Sequence, residues 1–200
     1  MRRLLGSASR RLRAFVAAFA RARDGVAAVE FALVMPIMLT MYLGSLELSQ
    51  LINVDQRITT IAGTVGDLVA RADGTVAAAD LSDYFTAATA ILAPFSNSAL
   101  KQTVTVVAVS ADGSTNNVVW SQAYNGGTIA TVGKPFSGAH AIPAALLTGI
   151  FKNNWVIVSD ATYPYTPLLG LFFKKPFTLY HQNFYLPRYP GVICYNTTTC

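Results

Sequence analysis

Charge is scarce in this chain. Only 12% of its 200 residues are Asp, Glu, Lys or Arg, against a hydrophobic share of 52%. So little charge fits a membrane-linked chain better than a free cytosolic one. Histidine is scarcer still. His140 and His181 stand far apart, and neither lies near a cysteine in sequence, so no zinc site is expected. The nine carboxylates after residue 25 are scattered, which leaves little material for acid–base or metal chemistry. G-x-S-x-G, H-E-x-x-H, a phosphate-binding P-loop and G-x-G-x-x-G are all missing. The residues therefore point to no enzyme and no cofactor. An envelope enzyme would have to draw on an unmotivated set such as Asp112, His140 and Asp160.

Only two cysteines occur, Cys194 and Cys200, both within the last seven residues. If this end lies outside the cytoplasm, a small C-x5-C disulfide loop is the natural reading; otherwise they are two free thiols in a frayed tail. The formal charge of +5 is unevenly placed. Residues 1–24 hold seven arginines and one aspartate, whereas residues 26–200 hold eight basic residues against nine acidic ones. Basicity belongs to one end, not to a folded face, which argues against nucleic acid as a partner.

That end (MRRLLGSASRRLRAFVAAFARARD) alternates arginines with Leu, Phe and Val, a pattern suited to an anionic membrane surface. Its longest apolar run, Ala14 to Ala20, is only seven residues and arginines follow directly, which argues against a cleaved secretory signal. Val26 to Leu46 follows, 21 residues or about 31 Å as a helix, enough to cross the hydrocarbon core. The arginines before it and none within ten residues after it place the N-terminus in the cytoplasm. Glu30 lies one turn inside this span and Pro36 near its middle, where it removes a helical hydrogen bond. Glu47, at the far edge, reads as a solvated charge.

RDGVAAVEFALVMPIMLTMYLGSLELSQL, within a stretch from roughly Arg21 to Leu68, resembles the N-terminal signature of the TadE/TadG-like family, the pseudopilins of the tight-adherence (Flp) type IV pilus system. More broadly it resembles class III prepilins: a charged leader, a glycine, and an apolar helix with glutamate as its fifth residue. Here these are Arg21–Asp24, Gly25, Val26 as first mature residue, and Glu30, followed by Phe31. The resemblance implies cleavage between Gly25 and Val26 by a membrane prepilin peptidase. It also implies pairing of Glu30 with the new amine of a neighbouring subunit, and packing through Glu30, Phe31 and Pro36. The implied partners are the peptidase, other pilins and Tad assembly proteins in the bacterial inner membrane. The alternative is an uncut single-span inner-membrane protein with a periplasmic protein-binding domain, in which Glu30 snorkels to headgroups.

Beyond the span, Leu48, Leu51, Ile52, Ile58, Ile61, Val65 and Leu68 recur at helical spacing, so one helix from Val26 to about Arg71 is expected. Gly63 and Gly66 weaken its second half and make a break possible there. Asp80 or Ser82 would cap a second helix, Leu81 to Leu92, ended by Pro94. Strands are expected at 103–110, 118–124, 155–163 and 177–186, the first two joined as a hairpin through Asp112-Gly113. Residues 126–141 read as loop, and a short helix is expected after Pro143. The run Leu168 to Phe173 has two readings: a face toward partner protein or membrane, or ordinary core beneath a loop. Asp112-Gly113-Ser114-Thr115-Asn116 begins like the metal-adhesion motif of larger TadG-type proteins, but Asn116 departs from it, and a hairpin turn is the simpler reading.

The expected fold is α+β and pilin-like: a basic cytoplasmic leader (1–25), a transmembrane helix (26–46) and a periplasmic domain (47–200). That domain is helical to about residue 93, and its strands over 103–186 form an antiparallel sheet of about four. A C-terminal disulfide loop is in keeping with pilins.

Overall fold

In a computed structural model of the chain, the described residues are 24–126, 128–130, 142–167, 170 and 175–200. The basic leader before Asp24, His140, most of the 126–141 loop and, apart from Gly170, the 168–173 run lie outside them. The chain divides after Leu46 into two units.

Helix α1 runs from Asp24 to Ala70, with Pro36 inside it. It continues without a break through Gly63 and Gly66, where propensity alone weakens it. A β-carbon on Gly66 would sit 2.6 Å from ring carbons of Tyr185 and 3.0 Å from the β-carbon of Ser159. On Gly63 it would meet the Tyr185 hydroxyl at 3.3 Å. The missing side chains let the helix backbone approach the sheet, and burial of Val54, Ile58, Ile61, Val65 and Val69 outweighs the propensity cost. Each such burial contributes about 1.5–3 kcal/mol, against about 1 kcal/mol for a helical glycine.

Strand β1 (Thr75–Val76) leads into α2 (Ala78–Thr89), which ends in a 3₁₀ turn at Ala90–Leu92. This helix starts three residues before the expected Leu81, and neither Asp80 nor Ser82 caps it. Extended Ala77 holds the cap position without a side-chain bond, while Asp80 lies in the first turn, where its charge complements the helix dipole. Arg57 of α1 donates through Nη1 to the carbonyls of Ile91 and Ala93, both at 2.6 Å, satisfying acceptors at the end of this helical stretch.

The four expected strands are present as β2 (Lys101–Val109), β3 (Asn116–Asn125), β5 (Trp155–Tyr165) and β6 (Phe177–Tyr185). A three-residue strand, β4 (Thr128–Ala130), is added inside the stretch expected to be loop; it pairs with Ala123–Asn125. The antiparallel order is β4-β3-β2-β5-β6. Central β2 and β5 are buried along most of their length, on both faces. One face (Val104, Val106, Ile157, Ala161) packs in a core with α1 and α2. The other (Val107, Val109, Val156, Val158) meets Ile142, Phe151 and the short helix α3 (Ala144–Leu147). Between β2 and β3, Asp112 accepts from the hydroxyls of Ser110 and Ser114 and from the Ser114 amide, at 2.6, 2.6 and 3.0 Å. These bonds, led by that from Ser110, hold its carboxyl far below the usual range. The segment is a hairpin turn.

The C-terminal stretch straps this domain. The Arg188 amide donates to the carbonyl of Ala70, and its guanidinium pairs with Asp67. Strand β7 (Cys194–Tyr195) pairs in parallel with β1, a contact no local pattern announces. Trp120 donates from Nε1 to the Ile193 carbonyl at 2.6 Å, and its ring lies 5.5 Å from that of Tyr195. Cys194 and Cys200 are joined in a disulfide, with Cα atoms 5.6 Å apart.

Gly66→Ala gains about 1 kcal/mol of helix propensity but loses about 1–3 kcal/mol to overpacking against Tyr185 and Ser159, so a lower melting temperature is expected by circular dichroism in detergent. Asp67 gives a pH test. The hydrogen bond from Arg71, reinforced by Arg188 and partly opposed by burial, lowers its pKa below the ordinary 3.8. A carboxyl depressed in the folded state adds stability above its unfolded pKa and loses it as pH falls through the folded one. The wild-type melting temperature should therefore fall below about pH 4 more steeply than that of Asp67→Asn.

Candidate functional site

The N-terminal part of α1 carries the residues singled out at the head of the chain. Gly25 and Val26 occupy its first turns, and a β-carbon on Gly25 would meet nothing within 4 Å. Glu30 follows Val26 by four residues, so the two share a helix face. Glu30 is exposed, as are Phe31 and Pro36. Phe31, Val34, Met35, Met38, Leu39 and Tyr42 line a shallow apolar groove on the same stretch. The most apolar 18-residue window of this helix has a mean hydropathy of 2.0, and none of it is buried. The core helix of a soluble protein would be covered; this one fits a single-pass membrane protein. Its hydroxyls are satisfied within the helix: Thr40 donates to the Pro36 carbonyl at 2.6 Å, and Ser45 to that of Tyr42 at 2.7 Å. Such back-bonding suits a medium without water.

Glu47 departs from the expectation of a solvated charge, being only 3% exposed. Its neighbours at helical spacing, Leu51, Val54 and Ile58, line the packed side of α1. That spacing was available in the sequence, but the carboxylate, taken alone, pointed to water.

Residues 25–65 match the family of TadE-like proteins. The matched stretch spans Gly25, Val26, Glu30, Phe31, Pro36 and the first part of the packed helix. TadE-like proteins are a pilus-associated structural family, and the likeness to them is confined to these residues of the 200. No curated protein and no solved structure matches the chain.

Of the three residues named for an enzyme, His140 lies outside the described residues, and the other two stand apart. Asp160 pairs across the sheet with Thr103, whereas Asp112 sits in the turn beyond the other end of β2. Asp160 accepts from the Tyr180 hydroxyl at 2.6 Å and from Gln182 at 2.9 Å. Partial burial, then that hydrogen bond and the nearby charge, push the Tyr180 phenol up. His181 is half-buried, 2.7 Å from Asp55 of α1, a link between helix and sheet rather than a ligand. Among the described residues, no group of three or more His, Cys, Asp or Glu side chains is placed to hold a metal ion. A cleft of about 300 Å³ lies between Gln50, Pro94, Phe95, the end of β5 from Tyr163 to Tyr165, and Thr166 just beyond it. Within it the Tyr165 phenol is pushed up by burial, then by the Glu47 charge and Tyr163.

Proposed function

We propose that this protein is a pseudopilin or minor pilin-like component in the assembly of a Tad/Flp-type pilus. The observation that carries the reading is the coincidence of the TadE-like match with Gly25 and Glu30, five residues apart on an unburied apolar helix. The leader stays in the cytoplasm, the helix crosses the inner membrane, and the domain after Leu46 lies in the periplasm. A prepilin peptidase cuts between Gly25 and Val26. The first turn of a helix lacks intrahelical partners for its amide groups, so opening it into the extended form a protease needs costs little, and glycine adds no side chain to accommodate.

Removing the leader discards seven arginines and leaves an α-amino group on Val26. An unpaired carboxylate in the span costs on the order of 2–3 kcal/mol even on lenient insertion scales. Pairing Glu30 with the new ammonium of a neighbouring subunit offsets that cost and sets the register of helix packing. Phe31 and Pro36 shape the adjoining surface.

Intact-mass measurement of the membrane-extracted protein should give a chain that begins at Val26; one that begins at Met1 or Arg2 would favour the uncut anchor. Glu30→Ala should insert normally yet abolish piliation, and wild-type filaments in that variant would remove the register role.

A further inference from the structure

We propose that the bilayer reaches past the span expected at 26–46 and covers the flank of α1 that carries Leu48 and Ile52. The inference rests on the membrane reading of this helix, and concerns where that medium ends. Glu47 is 3% exposed, whereas Leu48 and Ile52 are each 49% exposed. In water this order is wrong twice, with a carboxylate withdrawn and two large aliphatic side chains left wet. In lipid it is right twice: the acid turns into protein and the aliphatic groups turn out.

Shortly afterwards the order reverses. Val54, Ile58 and Ile61 are buried, while Gln56, Thr59 and Thr60 are exposed, the pattern of an amphipathic helix in water. Leu48, Ile52 and Thr59 stand at i, i+4 and i+11, so they share one flank. On that flank the outward residue changes from aliphatic to hydroxyl between Ile52 and Thr59. Leu48 and Ile52 directly follow the apolar span in the same unbroken helix, and this continuity selects lipid as their cover. From Val26 to Ile52 the helix rises about 40 Å, beyond the roughly 30 Å hydrocarbon core and into the headgroup region. Interfacial depth also accommodates exposed Ser49, Gln50 and Asn53 on the other flank.

Both cysteines are bonded to each other, so one substitution supplies a single free thiol for a fluorescent label. Met38→Cys, Ile52→Cys and Thr59→Cys would be made in the full chain, labelled with bimane and reconstituted in phosphatidylcholine–phosphatidylglycerol vesicles. Acyl-chain nitroxide should abolish most of the emission at position 38, and nitroxide at the headgroup–acyl boundary that at position 52, while aqueous iodide should abolish it only at position 59. Iodide quenching at position 52 with lipid quenching intact at position 38 would overturn the inference and spare the span. Failure of lipid quenching at position 38 would overturn the span reading and this one with it. Protection of position 52 from both quenchers, lost on dilution of protein in lipid, would mean that a second copy covers the flank, and would overturn lipid as its cover.

Discussion

The close seating of the Val54–Ala70 stretch of α1 on the sheet is the constraint from which the globular unit follows. Val54, Ile58, Ile61, Ala62, Val65 and Val69 enter one core with Val104, Val106, Ile157 and Ala161, and with Leu81 and Phe85 of α2. The approach is possible because Gly63 and Gly66 leave room for Tyr185. A residue that weakens a helix in isolation here permits the contact that stabilises it in the fold. The remaining elements are arranged around this contact. Arg57 holds the end of the second helical stretch, Asp55 meets His181 of β6, and Asp67 receives Arg188 from the C-terminal strap.

Much of this was legible along the chain because it depends on local period. The spacing from Leu48 to Leu68 marks the helix, and Thr103–Ser110 with Asp112-Gly113 marks the hairpin. Gly25 and Glu30 were singled out by spacing, and both fall in the stretch that matches TadE-like proteins, which assigns neither a role. What escaped depends on partners distant in sequence. Strand β4 has three residues and no alternation to betray it, and β1 with β7 is a two-residue parallel pair between segments more than a hundred residues apart. The start of α2 at Ala78 escaped because Ala77 carries no capping side chain. Glu47 was misread because its charge dominated a position that helical spacing assigns to the packed side.

Most polar groups that leave water gain another partner; among the described residues Gln102 Oε1 and Asp160 Oδ2 do not. Asp160 gains Tyr180 and Gln182, and Thr105 meets Ser121 at 2.7 Å within the sheet. The hydroxyls of Thr40 and Ser45 turn to carbonyls of their own helix.

The strap has a consequence for the order of events during folding. Its contacts with Ala70, Gly74, Val76 and Trp120 join the last part of the chain to elements made much earlier. The closure entropy of such long loops delays these contacts relative to the local ones. Until then the carbonyl of Ile193 is absent and the Trp120 indole has no acceptor from the strap. Closure of the domain by the strap is thus a late step of folding, set by the length of the loops it must close and not by local propensity.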